Sequence, residues 1–261
     1  MSQSATPNRI ISIGNSNLKL VLLSTLESGE LSFDSEQVER YQLSDLSPEE
    51  LVSRVKKQQS LILSVNQAFG QYLHESLGDL GTFFDFERAA RLFSIDSLYI
   101  GFGADRLAAV IGAIQKNPKT SLLVVDLGTF TTINIVSFEK RDSNYRLVGS
   151  QILPGISIGL KMSGDYGADL PKIDPEVSLQ QDWTTIEAKA CLSTEESLIC
   201  GQIYQLKALL RSLKEGYPDF SAWLTGGWSE YIEDFASGLG YVIDQDLVIR
   251  GGVAYLNKIN R

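Results

Sequence analysis

The chain reads as an α/β protein built from two related halves, and three observations predict this. Residues 10–23 (Ile-Ile-Ser-Ile-Gly-Asn-Ser-Asn-Leu-Lys-Leu-Val-Leu-Leu) and residues 123–136 (Leu-Val-Val-Asp-Leu-Gly-Thr-Phe-Thr-Thr-Ile-Asn-Ile-Val) repeat one pattern: a β-rich run, a glycine followed by small polar residues, and a second β-rich run. The two glycines, Gly14 and Gly128, fall about 114 positions apart. Through the rest of each half, strand-like runs alternate with stretches of helical period.

In the first half, β-branched and apolar runs bounded by turn residues predict strands near 10–13, 18–24, 37–43, 60–65, 82–86 and 97–100. Helical period appears at 48–58, 67–77, 87–93 and 105–116. Ser47-Pro48-Glu49-Glu50 starts the first of these helices, with a capping hydroxyl, proline in the first turn and acids at the positive end of the dipole. Asn117-Pro118-Lys119 breaks the last and marks a boundary. In the second half, strands are expected near 121–126, 131–138, 145–152, 220–225 and 241–244, and helices near 156–163, 193–214, 229–237 and 248–258. Ser193-Thr194-Glu195-Glu196 carries the Ser-x-x-Glu spacing that satisfies two orphan N–H groups reciprocally. Residues 164–185, rich in Gly, Asp, Pro and Gln, read as a long loop or flap. Residues 1–9 are polar and read as a disordered leader, leaving 10–117 and 118–261 as the two halves.

Bulk properties narrow the function classes. Hydrophobic residues make up 43% of the 261 and charged residues 21%, ordinary for a soluble globular protein. No apolar run reaches the roughly 18 residues of a membrane span. With no apolar signal core either, a cytoplasmic location is expected. A net charge of −9 argues against a duplex nucleic-acid binder, whose affinity comes from Lys and Arg on phosphates. It leaves a nucleotide open, because backbone N–H groups and one or two cations suffice for a small phosphate site. Cys191 and Cys200 are expected as two reduced, partly buried thiols. His74 is the one histidine and is expected to face solvent or cap a helix, so Ser–His–Asp and histidine-rich zinc chemistry lose their ground.

Four segments could carry chemistry. In Ser12-Ile13-Gly14-Asn15-Ser16-Asn17, Gly14 permits a backbone shape that other residues resist and brings main-chain N–H groups close to a ligand. Asn15 and Ser16 add donors for phosphate oxygens, and Lys19 follows one strand-length later. An ordinary hairpin turn uses the same residues. In Asp126-Leu127-Gly128-Thr129-Phe130-Thr131-Thr132, a carboxylate closes an apolar strand and suits a hard cation, while Thr129 and Thr131 offer hydroxyls. Thr225-Gly226-Gly227 ends a third strand; it lets a flat base or ribose press on backbone, or makes a tight strand-to-helix turn. Gly103-Ala104-Asp105-Arg106 opens a helix. There Asp105 serves as a general base and Arg106 as an anion anchor, or the pair is a helix cap with a solvated neighbour. The Gly-x-x-x-x-Gly-Lys-Ser/Thr loop, the dinucleotide Gly-x-Gly-x-x-Gly and the protein-kinase signatures are all absent.

Taken in order, Ile-Gly-Asn-Ser, Gly-Ala-Asp-Arg, Asp-Leu-Gly-Thr, Leu-Pro-Gly and Thr-Gly-Gly make the chain resemble the type III pantothenate kinases over residues 10–257. The resemblance implies two related ribonuclease H-like halves of the actin-like ATPase fold, in the superfamily of acetate and sugar kinases, Hsp70 and actin, with a cleft between them. It implies ATP-dependent phosphorylation of pantothenate, the entry to coenzyme A synthesis, with Mg²⁺ and a monovalent cation such as K⁺ or NH₄⁺. It also implies a homodimer, and no nucleic-acid or membrane partner is expected. Carried onto matching positions, the first phosphate turn is Ser12, Ile13, Gly14, Asn15, Ser16, Asn17, Leu18 and Lys19. Tyr99, Gly103, Ala104, Asp105, Arg106 and Thr194 take pantothenate, with Asp105 as the base. Thr129 meets ATP, Thr225, Gly226 and Gly227 lie on its adenosine side, and Asp126 binds the monovalent cation.

One residue departs from the family pattern. The family opens its first turn with an aspartate that helps place the Mg²⁺ shell, and this chain has Ser12. A serine bonds a metal-bound water but brings no negative charge. The departure keeps open a non-catalytic nucleotide-binding regulator on the same scaffold, and a sugar or acetate kinase is a third reading.

Overall fold

The computed structural model describes residues 7–174 and 191–261. Residues 1–6 of the expected leader and 175–185 of the expected flap lie outside the described residues. In chain order the strands are β1 (Arg9–Ile13), β2 (Asn17–Leu22), β3 (Ser24–Thr25), β4 (Leu31–Ser32), β5 (Glu39–Gln42), β6 (Ser60–Ser64), β7 (Gly81–Phe83), β8 (Ile95–Asp96), β9 (Leu122–Leu127), β10 (Phe130–Glu139), β11 (Asn144–Pro154), β12 (Ser221–Thr225) and β13 (Tyr241–Ile243). The helices are α1 (Pro48–Val55), α2 (Gln67–Leu77), α3 (Phe86–Leu92), α4 (Ala104–Lys116), α5 (Ile156–Tyr166), α6 (Thr194–Gly216), α7 (Glu233–Gly238) and α8 (Leu247–Ile259). Among the described residues, no helix is long and apolar enough to cross a membrane.

The chain divides into two compact units. The first holds residues up to 119, with 138–146 and 246–261; the second holds 120–137 and 147–245. The C-terminal helix α8 therefore counts with the first unit.

In the first unit five strands run in the order β5-β2-β1-β6-β7. The β1–β2 hairpin is antiparallel and β6 lies parallel to β1. Alternation along these strands gives the sheet two apolar faces. One presents Ile11, Ile13, Leu18 and Leu20 to Leu51 and Val55 of α1 and to Leu73 and Leu77 of α2. The other presents Ile10 and Leu63 to α8, so closely that a Cβ on Gly252 would lie 3.0 and 2.9 Å from their terminal methyls. Helices α4 and α8 approach backbone to backbone: a Cβ on Gly251 would overlap the Ala108 carbonyl, and one on Gly112 the Leu247 carbonyl. The α1 cap is as expected, with Glu50 N donating to Ser47 Oγ at 3.2 Å and Ser47 N donating to Glu50 Oε2 at 2.9 Å.

Two expectations for this unit are corrected. Residues 97–100 are not a strand. Pairing ends at Asp96, and the chain turns through left-handed backbone at Ser97 (φ 62°) and Gly101 (φ 89°), which no ladder accommodates. Of the two alternatives for His74 the solvent-facing one is corrected: it stands half-buried in the last turn of α2, with its ring 4.8 Å from that of Phe83.

In the second unit the strands run β13-β12-β9-β10-β11. Strands β9 and β10 are an antiparallel hairpin, and β12 lies parallel to both β9 and β13. Leu123, Val125, Leu127, Ile133, Ala222 and Leu224 pack on Ile156 and Leu160 of α5 and on Ile203, Leu206 and Leu210 of α6. The α6 cap is half of the expected reciprocal pair. Ser193 Oγ accepts from Glu196 N at 3.1 Å, but the Glu196 carboxylate accepts from Leu192 N, not from Ser193. The cysteines are also corrected: Cys191 and Cys200 form a disulfide. The capped turn folds residue 191, two before the cap, back over the helix turn that carries Cys200, a proximity that sequence spacing did not reveal.

The α4–α8 crossing predicts that Gly251→Ala destabilises the protein by about 1–3 kcal/mol through overpacking. A Cβ on Gly201, exposed on α6, meets nothing within 4 Å. Gly201→Ala is therefore expected to stabilise by about 0.5–1 kcal/mol. Urea midpoints of the two variants, moving in opposite directions, check the pair.

Candidate active site

In the first unit the path from β8 to α4 gathers one cluster. Gly103 is the N-cap of α4 with extended backbone (φ −66°, ψ 144°). A Cβ there would sit 2.5 Å from Asp105 Oδ1, so glycine leaves room for the carboxylate to fold back over the cap. Asp105 Oδ1 accepts from Arg106 N at 2.7 Å. Arg106 is 5% exposed, with its guanidinium 4.3 Å from the Phe102 ring centre and 5.9 Å from that of Tyr99. Its Nη1 donates to Tyr99 Oη at 2.7 Å. Tyr99 stands edge-on to Phe102 with ring centres 5.5 Å apart. Burial pushes the Asp105 carboxyl above the usual carboxylate range; the Arg106 amide and guanidinium pull it back only in part. Tyr99, Gly103, Ala104, Asp105 and Arg106 thus come together. Phe102, which the sequence reading missed, is the face on which Arg106 rests.

The first glycine turn links β1 to β2. Gly14 N donates to Asn17 O at 2.8 Å, while Ser16 O accepts from Leu43 N and Ile13 O from Val65 N, at 2.8 and 3.0 Å. Gly14 is not among the residues with positive φ. Glycine suits this turn because a Cβ would press to 3.3 Å on the Asn17 carbonyl; its φ is not positive. Asn15 and Asn17 are exposed, and Leu18 is buried in the core. Ser12 lies opposite Lys19, and Lys19 opposite Arg40, so the three side chains form a row on one face. Lys19 Nζ is 3.3 Å from Asp246 Oδ1, and Arg40 Nη2 bonds both Asp246 oxygens at 2.8 and 2.9 Å. The Asp246 side chain is 4% exposed. Arg40 and Asp246 escaped the sequence reading because they stand 206 positions apart.

In the second unit three motifs meet at the β9–β10 turn. Gly155 N donates to Thr129 O at 3.0 Å, and a Cβ on Gly155 would collide with the Gly128 and Thr129 carbonyls. Gly226 has φ 94°, and its Cβ would reach 2.6 Å from Leu127 N. Trp228 N, beyond Gly227, donates to Leu127 O at 3.1 Å. Thr132 and Thr225 both lie opposite Asp126, one on each neighbouring strand, so the three share a face. Thr225 is 1% exposed, and Thr132 Oγ1 is buried with no hydrogen-bond partner. On the helical face, a cavity of about 530 Å³ is lined by Leu127, Gly128, Thr131, Pro154, Gln205 and Trp228 among others. Thr194 opens α6 in an exposed position beside the Cys191–Cys200 bond.

Comparison with known proteins gives a family and a fold. The profile of the family described as type III pantothenate kinase matches residues 10–215. The chain is 30% identical over 162 residues to type III pantothenate kinase 2 of Francisella tularensis subsp. holarctica (strain OSU18), covering 60% of this chain and 56% of that protein. It is 33% identical over 163 residues to the type III pantothenate kinase of Porphyromonas gingivalis (strain ATCC 33277), covering 60% of each. The match thus spans less than two thirds of these relatives' length. A solved structure of a putative 2-dehydro-3-deoxygalactonokinase from Sinorhizobium meliloti is 12% identical, with a TM-score of 0.53 over 97% of this chain and 98% of that one. The ethanolamine utilization protein EutJ from Carboxydothermus hydrogenoformans is 13% identical, with a TM-score of 0.50 over 97% and 90%. At such identities the likeness concerns the fold alone, and it bears out the expected α/β fold.

Because burial holds the Asp105 carboxyl above its unfolded value, its ionised form is penalised in the fold. The native state gains from this group only while it is protonated, and that gain is lost as pH rises through the raised value. Asp105→Asn is expected to melt higher than the parent at pH 8, with the difference shrinking as pH falls through the carboxylate range; calorimetry across that span checks it.

Proposed function

The chain belongs to the type III pantothenate kinase family, and on that premise we propose that it transfers the γ-phosphoryl group of ATP to the primary hydroxyl of pantothenate, the first step of coenzyme A synthesis. What carries this reading is Asp105: a partly buried carboxylate with a raised pKa, held at a helix start against a buried arginine. A base of raised pKa is better matched to abstracting an alcohol proton near neutrality.

In this reading Asp105 orients the hydroxyl and takes its proton late, as the oxygen attacks the γ-phosphorus and the bond to the β-phosphate oxygen breaks. Most of the acceleration comes from positioning and charge neutralisation, because such transition states are loose. Arg106 anchors the pantothenate carboxylate, and Tyr99, Gly103, Ala104 and Thr194 complete the substrate contacts. Ser12 to Lys19 and Thr129 receive the phosphates, and Thr225 to Gly227 the adenosine side. Bound Mg²⁺ supplies charge neutralisation on the transferred group. Among the described residues, no group of three or more His, Cys, Asp or Glu is arranged to hold a metal, so it would be held by phosphate oxygens and waters, one of them bonded by Ser12. A monovalent cation fits better: Asp126 is flanked by two threonine hydroxyls on one sheet face, and the unpartnered Thr132 Oγ1 is an oxygen left for a hard ion. We carry over the homodimer and the cytoplasmic location on the family premise alone.

Ser12 favours the second reading, a nucleotide-binding regulator, because the first turn itself carries no carboxylate, and the one beside Lys19 and Arg40, Asp246, is already engaged with both cations. Purified protein with ATP, Mg²⁺, K⁺ and pantothenate separates the two. Phosphorylated product supports the kinase; nucleotide binding without product supports the regulator.

In that assay Asp105→Asn is expected to lower kcat by about 10²–10⁴-fold while pantothenate still binds. Near-normal turnover removes Asp105 from the role of base. Arg106→Ala is expected mainly to raise the pantothenate KM, and an unchanged KM counts against the anchor. Ser12→Asp is expected to lower the Mg²⁺ concentration needed for half-maximal rate, read from a Mg²⁺ titration.

A further inference from the structure

We propose that Cys191 and Cys200 are a reversible thiol–disulfide modification site that sets the order of the α6 N-terminus and, through Thr194, the affinity for substrate. The part concerning affinity rests on the pantothenate reading above; the part concerning order does not.

The bond joins a residue two positions before the Ser193 cap to one in the second turn, so it encloses Thr194 within a covalent loop of sequence separation 9. Among the described residues, the hydrogen bonds at this helix start are made by exposed polar groups. Ser193 Oγ accepts from Glu196 N at 3.1 Å, Leu192 N donates to Glu196 Oε2 at 3.1 Å, and Ser197 Oγ donates to Ser193 O at 2.8 Å. Leu192 is 89% exposed and gives no apolar anchor; the first side chains of α6 to meet the core are Leu198, partly buried against it, and Ile199. A helix end secured by exposed hydrogen bonds frays, and a crosslink across its first two turns suppresses that fraying. Both cysteines are half-buried, within reach of a small thiol or disulfide and not sealed in the core.

The co-reactant is a low-molecular-weight disulfide of the glutathione type. The Cys191 thiolate attacks one of its sulfurs, its S–S bond breaks and one small thiolate leaves. The Cys200 thiolate then attacks Cys191 Sγ in the mixed disulfide, forming the internal bond and expelling the second small thiolate. The two cysteine protons end on the released thiols, and the two electrons given up by the cysteines reduce the small disulfide. Excess small thiol runs the sequence backwards.

The test equilibrates the purified full chain in buffers of graded reduced to oxidised glutathione. Alkylation and intact mass count the thiols, amide exchange is followed at residues 192–199, and pantothenate kinetics are measured in each state. Expected are one transition in which both thiols vanish together, slower exchange over 192–199 in the oxidised state, and a pantothenate KM about 3–10-fold lower there with kcat unchanged. Cys191→Ser and Cys200→Ser are each expected to keep the activity of the reduced protein and to lose all response to the buffer. Thiols that persist in the most oxidising buffer, or a disulfide that leaves the exchange of 192–199 unaltered, overturn the site. Altered exchange with an unchanged KM overturns its link to affinity. Absence of phosphorylated pantothenate in either state sinks the kinase reading, while thiol count and exchange still decide the clip.

Discussion

The β9–β10 turn depends on two other pieces of backbone arriving without side chains. Gly155 and Gly226 come from opposite ends of the second unit's sequence, and at either position a Cβ would occupy space already held by main-chain atoms of residues 127–129. Close packing of this kind has no slack. A side chain there moves the turn, and with it Thr129 and the ladder that sets Asp126 between Thr132 and Thr225. The Leu-Pro-Gly and Thr-Gly-Gly signatures are therefore packing conditions on Asp-Leu-Gly-Thr. Three short motifs spaced along the chain report one piece of geometry.

The Asp105 cluster follows a different logic, a competition between burial and local donors. Desolvation favours the neutral acid, whereas the Arg106 amide and guanidinium favour the anion, and burial prevails. Arg106 is itself committed to Tyr99 and to the Phe102 face, which limits how far it compensates its neighbour. The outcome is a carboxylate tuned upward and yet charge-assisted, as a proton acceptor for an alcohol requires. Elsewhere in the same unit, the buried Asp246 draws Lys19 and the more exposed Arg40 into one ion group, so the charge that Lys19 brings to the first turn is already shared.

Local signals in the sequence were read well, and distant ones were not. The duplicated hairpins, the Ser47 cap and the glycine-ended third strand all rest on spacing within a few residues, and each lies where it was expected. Three features lay beyond reach because they depend on contacts between distant or folded-back segments: the Arg40–Asp246 pair, the packing of Phe102 under Arg106, and the Cys191–Cys200 bond. Residues 97–100 misled because Leu-Tyr-Ile is a good strand sequence by composition, while the left-handed backbone at Ser97 and Gly101 on either side of it forbids a ladder. At Gly14 it is closeness to the Asn17 carbonyl, and not a positive φ, that disfavours a side chain.

Helix α8 lies last in the chain yet covers Ile10 and Leu63 at the heart of the first sheet. On the ribosome, the opening strands emerge long before their lid does, and the whole of residues 147–245 must be synthesised in between. The part of that face that α8 covers stays open throughout, a long-range closure that slows folding and invites chaperone capture. A nascent chain halted before residue 247 would carry an unfinished first unit however well the second had formed.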